Sequence, residues 1–441
     1  MPDVLLIVTD DQRVHTLEWM DEVPRRIAGR GIRFLNAMIP TSLCCPSRAS
    51  LLTGLFAHST GVWSNGRSDD IPDTGGWSVF HEAGLDDRTI AVWLEEAGYR
   101  TALVGKYLNG YGDSPVGYVP PGWTRWHVFA VRNGAYYDYT LRHTDGSEST
   151  HGHDPRDYST DVLRRLAVSE IRNAPPHQPL FLMFTPYAVH GPTMPAARHA
   201  GSATVGPLLA PHINEADVED KPPWIAELPL ASIDRITQQR RDTQETLRSV
   251  DEAVGALLDA FKEHRDIADT LVIFTSDNGH LWGEHRLRGK NMSYNASSRV
   301  PLAMRWPGHL EPGSEDLRLA LNVDVTATIA EAAGASPSGA IEGVSLLGYA
   351  EREGFVLESP VTNGRDGGGQ KVARPGYCGY RTRRFVYVRY SGGVEELYDY
   401  RDDPLELTNV ASDPSYADLL ATMRVRTDEE CQPRPPGYVW A

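Results

Sequence analysis

The chain has 441 residues and a formal net charge of −16. That length suits one large α/β domain with a smaller companion. Nothing like a basic stripe offsets the acidity, which argues against nucleic acid as a partner, and no apolar run is long enough to cross a membrane.

Val4–Thr9 is a continuous apolar, β-branched run and reads as a fully buried parallel strand. The preceding Met1-Pro2-Asp3 forms no signal peptide, so a cytoplasmic protein is expected, or a periplasmic or secreted one if a leader was removed. Asp10-Asp11-Gln12 closes the strand, at the edge where open α/β sheets bind ligands. Residues 24–30 read as a short helix and 32–38 as a second strand. A helix follows over residues 87–97 and a strand over 101–104, ending in Gly105-Lys106-Tyr107. Residues 109–139 are rich in Gly, Pro and aromatics, either a cleft wall or a packed cluster under a long loop.

Residues 161–173 are helical, and 180–184 form a strand that leads into His190-Gly191-Pro192. After an aperiodic insertion over 195–229, residues 233–264 carry helical periodicity. The strand 270–274 runs into Thr275-Ser276-Asp277-Asn278-Gly279-His280. One more strand, 300–304, and a helix, 323–333, complete an alternation that indicates a large, mostly parallel sheet sandwiched by helices. We therefore expect a catalytic domain over 1–335, a connecting region over 336–379, and a C-terminal α+β subdomain over 380–441. The subdomain should hold a small antiparallel sheet, with Gly392-Gly393 turning a hairpin, and a closing helix over 416–424.

Cys44-Cys45-Pro46-Ser47-Arg48 opens a helix stopped by Gly54. A cysteine there lies beside free backbone N–H groups and the positive end of the helix dipole. Arg48 projects about one turn on, back toward the same place. Cys378 and Cys431 could pair in an oxidising compartment or stay reduced. Asp10, Asp11, Asp277 and Asn278 offer hard oxygen ligands suited to calcium or magnesium. Lys106, Arg48 and His190 would clamp an anion drawn to that cation. Taken singly, the acids could cap a helix, and Lys106 and His190 could be ordinary surface and loop residues.

The ordered set resembles the formylglycine-dependent sulfatases of the alkaline-phosphatase superfamily over nearly the whole chain. It comprises Cys44–Arg48 with Leu52-Thr53-Gly54, Ile7–Asp11, Gly105–Tyr107, His190–Pro192, Thr275–Gly279, Gly289-Lys290 and Glu396–Asp399. Gly105–Gly110 and Pro120–Trp123 look most like the N-acetylglucosamine-6-sulfatase branch, with arylsulfatase members also similar. The resemblance implies that a formylglycine-generating enzyme oxidises Cys44 to Cα-formylglycine. One calcium would bind to Asp10, Asp11, Asp277, Asn278 and the modified residue 44. Arg48 would hold that residue as its hydrate, Lys106 and Lys290 would bind sulfate oxygens, and His190 would sit at the leaving group. Chemically, an aldehyde hydrate has one hydroxyl to attack sulfur and a second to expel sulfate afterwards, with Asp277 as proton acceptor and His190 or Lys290 as proton donor.

One position departs from the pattern: many sulfatases have Lys-x-His where this chain has Lys106-Tyr107-Leu108, and His280 is a candidate replacement. The expected activity is hydrolysis of aryl or carbohydrate sulfate monoesters. Two alternatives are a phosphonate monoester or phosphodiester hydrolase on the same scaffold, and an inactive metal-binding protein that keeps Cys44 as a thiol. Residues 63–67 could form a carbohydrate or aryl platform. Asn295-Ala296-Ser297 matches a glycosylation acceptor by chance.

Overall fold

Along the first strand, β1 (Asp3–Thr9), Val4, Leu6 and Val8 enter one apolar cluster while Leu5 and Ile7 enter another. A strand buried on both faces belongs in the middle of a sheet covered on both sides. In the computed structural model, which describes residues 1–66, 74–130, 136–365 and 371–440, that is its place. The sheet adds β2 (Ile32–Met38), β3 (Arg100–Gly105), β4 (Arg125–Phe129), β5 (Tyr139–His143), β6 (Glu148–His151), β7 (Leu180–Thr185) and β8 (Thr270–Ser276). A separate two-stranded ribbon follows, β9 (Leu281–Trp282) with β10 (Arg288–Gly289), and then β11 (Leu302–Arg305) and β12 (Ser314–Leu321) return to the large sheet. Its order is β12-β2-β11-β8-β1-β7-β3-β4-β5-β6.

The centre, β8-β1-β7-β3-β4, is parallel as expected. Antiparallel pairs at the flanks make the mostly parallel sheet a mixed one: β11 runs antiparallel to β8 and β2, and β5 and β6 run antiparallel to their neighbours. Only a few residues separate β4, β5 and β6 from one another, too few for a parallel crossover.

One face carries α1 (Cys44–Thr53), and the other carries the packed pair α2 (Ser159–Asn173) and α3 (Ile233–His264); α4 (Asn322–Ala333) packs against α1. The short helix expected over 24–30 is a π turn followed by a 3-10 turn over 23–30. No helix among the described residues is long and apolar enough to cross a membrane.

The stretch 336–379 does more than connect. It supplies β13 (Gly354–Ser359), the pair β14 (Thr362–Arg365) and β15 (Lys371–Arg374), and the start of β16 (Tyr377–Thr382). β17 (Phe385–Tyr390) and β18 (Glu395–Asp399) complete an antiparallel sheet ordered β13-β16-β17-β18. Gly392 and Gly393 make its hairpin turn with φ of 95° and 92°. The closing helix, α5 (Ala417–Glu430), runs beyond Arg424 to Glu430.

Cys378 of β16 and Cys431, at the end of α5, form a disulfide across a separation of 53 residues. Closing a loop of that length restricts the unfolded chain by about 4 kcal/mol. Urea unfolding of the Cys378→Ala/Cys431→Ala double variant should show a loss of that order, and an unchanged midpoint would contradict it.

His58 reaches the antiparallel sheet: its ring contacts Glu358 of β13 at 2.9 Å and Glu342 at 3.5 Å. Burial disfavours the imidazolium, but the hydrogen bonds to Glu342 and Glu358 outweigh it and raise His58 to about 10. A raised folded-state value gives stability that is complete below the ordinary 6.5 and fades as pH climbs to 10. His58→Gln should therefore cost more stability at pH 6 than at pH 10, by urea midpoints; an equal cost at both would contradict this.

Candidate active site

Parallel pairing sets neighbouring strand ends side by side. Thr9 of β1 lies opposite Ser276 of β8, so Asp10-Asp11 emerge beside Asp277-Asn278. β7 flanks β1 on its other side and leads to His190, and Gly105 of β3, opposite Thr185, leads to Lys106. Gly105 is required there: at φ 127° a Cβ would lie 2.0 Å from the Thr185 carbonyl oxygen. Asp11 is left-handed at φ 64°, a turn that aspartate tolerates better than most residues.

α1 adds Cys44 and Arg48. Its first residue is Cys44, its N-cap Leu43 offers no side-chain bond, and Gly54 ends it at φ 71°. Pro46 stands third, within the turn whose N–H groups have no helical partner.

All nine residues expected at the site converge. Asp10, Asn278 and Cys44 are fully buried, and Asp277 and Arg48 are 1% exposed. Arg48 Nε donates to Asp277 Oδ2 at 2.8 Å, and its Nη1 donates to the Lys106 carbonyl at 3.0 Å. The other Asp277 oxygen accepts the Asp11 N–H at 3.2 Å. Lys106 Nζ lies 2.5 Å from Asp10 Oδ2, and Cys44 Sγ donates to Asp10 Oδ1 at 3.5 Å. Lys290 Nζ pairs with Asp11 Oδ1 and lies 2.6 Å from Cys44 Sγ. Asn278 Nδ2 donates to Asp11 Oδ1 at 2.7 Å. His190 points Nε2 inward, 3.8 Å from Asp11 Oδ2, while Nδ1 is held by the Tyr187 hydroxyl at 2.8 Å.

Three carboxylates thus face three cationic side chains. Burial alone would raise the Asp10 carboxyl, but Lys106, His190 and Arg48 hold it below its ordinary value. Lys290 and His190 likewise outweigh burial at Asp11. Burial and Asp10 push the Cys44 thiol up to about 12, so an unmodified Cys44 is a neutral thiol here and a poor nucleophile.

Ligand atoms of Asp10, Asp11, Cys44 and His190 all lie within 4.8 Å of one another. The cluster shares Asp10, Asp11 and Cys44 with the expected set and adds His190 to them. Asn278 Oδ1 is a buried acceptor without a partner. An orphaned amide oxygen among carboxylates is the donor set a hard cation such as calcium completes. With three charges of each sign already balanced, a divalent cation would leave the site positive and open to an anion.

Leu108 packs into the core at 4% exposure and cannot stand in for a histidine. His280 is half-buried with an unpartnered Nδ1, and burial lowers it to about 4. Cys45 is buried in the core cluster, its N–H donated to Asn65, consistent with no chemistry of its own. Trp63, Trp123, Trp126, Tyr136 and Tyr139 are buried at 5% exposure or less, which favours packing over a substrate platform; Arg67 and residues 131–135 lie outside the described residues. Ser297 is fully buried and shares a hydrogen bond with Ser42, closing off the glycosylation motif.

Two supporting residues carry no sequence signal. Tyr187 fixes His190, and Arg374 of β15 donates at 2.8 Å to the carbonyls of both Arg288 and Lys290. Each lies in a segment without a distinctive motif.

This fold and constellation define a class, and the chain belongs to the sulfatase family: the sulfatase family model matches residues 2–335, and the C-terminal model of N-sulphoglucosamine sulphohydrolase matches residues 283–432. Among its relatives is an extracellular sulfatase Sulf-1 homolog of Caenorhabditis elegans, 33% identical over 358 residues, 78% of this chain and 48% of that protein. The chain therefore spans about half the length of that relative. An arylsulfatase of Volvox carteri is 32% identical over 98% of this chain and 75% of its own, and human N-acetylglucosamine-6-sulfatase is 31% identical over 78% and 64%. A protein solved with its substrate D-glucosamine-2-N,6-O-disulfate superposes with a TM-score of 0.81 at 23% identity, covering 98% of this chain and 97% of that one. A phosphonate monoester hydrolase of Agrobacterium radiobacter has the same fold, with a TM-score of 0.73 at 21% identity over 97% and 95%.

Proposed function

We propose that the chain hydrolyses sulfate monoesters of carbohydrates, with Cys44 converted to formylglycine and one calcium held by Asp10, Asp11, Asp277, Asn278 and residue 44. The observation that carries this is the convergence of Cys44 at the first turn of α1 with Lys290, Asp10 and Asp11. When bound, calcium would supply Lewis acidity at the sulfate and at the nucleophile. Conversion of Cys44 and hydration of the resulting aldehyde would place two hydroxyls on one carbon where the thiol now lies.

Lys106 and Lys290 would leave their carboxylates for the sulfate oxygens and offset the charge that develops there. Arg48, locked by Asp277, orients residue 44 and keeps that side of the site dry. His190 presents Nε2 to the leaving oxygen; with its Nδ1–H held by the Gly191 carbonyl, the imidazolium form carries on Nε2 the proton that the leaving oxygen takes. His280, near enough to Asp11 and Lys290 for their charges to act on it, is the candidate for the histidine missing at Leu108. Maturation requires a formylglycine-generating enzyme. The Cys378–Cys431 disulfide and the extracellular relatives favour an oxidising compartment over the cytoplasm expected above.

The test is turnover of N-acetylglucosamine 6-sulfate, 4-nitrocatechol sulfate and a phenyl phosphonate ester by protein co-expressed with the generating enzyme. Sulfate esters should be turned over, with activity lost in EDTA and restored by calcium. A higher kcat/KM for the phosphonate than for every sulfate, or no sulfate released despite a confirmed aldehyde, would overturn the reading.

A further inference from the structure

Glu396 opens the motif Glu396–Asp399 on β18, a strand that supplies none of the nine site residues. Its carboxyl group is fully buried and accepts three hydroxyls: Tyr294 and Tyr398 donate to Oε1 and Tyr390 to Oε2, each at 2.7 Å. A buried carboxyl is costly unless its oxygens are bonded, and here all three donors are tyrosines. Two of them, Tyr390 and Tyr398, belong to the small antiparallel sheet. Tyr294 does not. It stands four residues after Lys290, at the end of the loop 285–294 that carries Lys290 into the active site.

The base of this loop is closed by the His285 and Tyr294 rings, stacked at 4.4 Å. Its backbone needs such a closure. Among the described residues, seven other than glycine have a left-handed φ, and three of them lie in this loop: His285 at 50°, Arg286 at 64° and Asn291 at 64°. Such conformations persist only where surrounding contacts over-determine them. Many of those contacts come from the C-terminal strands. Ser293 Oγ meets the Tyr390 hydroxyl at 3.2 Å, Ser359 of β13 donates to Asn291 Oδ1 at 3.0 Å, and Arg374 of β15 donates to the Lys290 carbonyl at 2.8 Å. The loop is also tied to the nucleophile. The Asn291 N–H donates at 2.9 Å to the carbonyl of Ser42, two residues before Cys44, and Lys290 Nζ lies 2.6 Å from Cys44 Sγ.

We propose that Glu396 is a positioning residue for Lys290: through Tyr294 it pins the base of a strained loop, and so fixes where the Lys290 ammonium meets the nucleophile and the sulfate. Among the described residues, Glu396 itself bonds to none of the nine. Without the Tyr294 bond the loop relaxes toward ordinary backbone, and Lys290 loses its register with residue 44. A shift of about 1 Å in a group that holds the reacting atoms can cost about 100-fold in rate. This inference rests on the sulfatase reading, which gives Lys290 its role.

The test compares wild-type, Tyr294→Phe, Tyr398→Phe and Glu396→Gln enzymes, all converted at Cys44 and supplied with calcium. Tyr294→Phe and Tyr398→Phe each remove one hydroxyl from the same Glu396 oxygen, so their urea midpoints should fall alike. Only Tyr294→Phe breaks the tie to the loop, while keeping a ring to stack on His285. It should raise KM for N-acetylglucosamine 6-sulfate by about tenfold, and Tyr398→Phe should stay near wild type. A partly unfolded population would instead lower kcat and leave KM unchanged. Glu396→Gln, with one acceptor oxygen left, should follow Tyr294→Phe. Amide hydrogen exchange over residues 285–294 should also quicken by about tenfold in Tyr294→Phe and not in Tyr398→Phe. A wild-type KM in Glu396→Gln, or equal KM or equal exchange in the two phenylalanine variants, overturns the proposal. Exchange does not depend on catalysis. Should the wild type turn over no sulfate ester, the hydrolase reading falls, while faster exchange confined to Tyr294→Phe still upholds Glu396 as the anchor of the loop.

Discussion

Replacing Cys44 by alanine is expected to abolish sulfate-ester turnover, a loss of about 10⁴-fold or more in kcat, as for other enzymes stripped of their nucleophile. No neighbouring group can substitute. Cys45 is turned into the apolar core, and Lys290 and Lys106 are held as ammonium ions by Asp11 and Asp10. Cys44 is fully buried and small, so alanine should leave the thermal midpoint nearly unchanged. Serine makes a sharper variant, because it offers one hydroxyl without the second needed to expel sulfate. Cys44→Ser should release at most one alcohol per site and then stall. Sustained turnover by either variant would show that residue 44 is not the nucleophile.

Arg48→Met has the largest expected effect on stability. The guanidinium is 1% exposed, bonded to Asp277 at 2.8 Å and 3.7 Å from Asp10. Methionine fills much of the space but leaves two buried carboxylates short of a counter-charge. Breaking a buried pair from one side costs about 3–5 kcal/mol. A bound cation would mask part of that loss, so urea unfolding should be measured in EDTA, where the full loss is expected and calcium should recover some of it. Stability within error of wild type in EDTA would mean that Asp277 and Asp10 do not depend on Arg48. Activity should fall as well, since Arg48 also bonds the Lys106 carbonyl and so sets where that lysine begins.

The parts of this site legible in the sequence were those written at strand ends. β1 and β8 are uninterrupted buried runs, so their final residues and the acids beyond them belong at one sheet edge. Lys106 and His190 followed by the same logic, and Cys44 by the helix that Gly54 ends. The direction of β11 was not legible, because a short apolar strand reads the same in either sense. Residues 354–379 read as part of a connector because Gly354, Pro360, Gly364 and Gly376 interrupt the alternation, although strands lie between them. The pairing of Cys378 with Cys431 required knowing that α5 returns to β16. Tyr187 reaches His190 across a turn of three residues, and Arg374 bonds two carbonyls far away in sequence, contacts that no motif marks.

The most direct test of the site's chemistry follows conversion and turnover together. Protein is prepared with graded amounts of the formylglycine-generating enzyme. The peptide carrying Cys44 is weighed for the exchange of a sulfur and two hydrogens for one oxygen, and sulfate release from N-acetylglucosamine 6-sulfate is measured on the same samples. Turnover should rise in proportion to the converted fraction and extrapolate to zero with none. Equal turnover at every degree of conversion, or none in fully converted protein supplied with calcium, would contradict a formylglycine-dependent sulfatase.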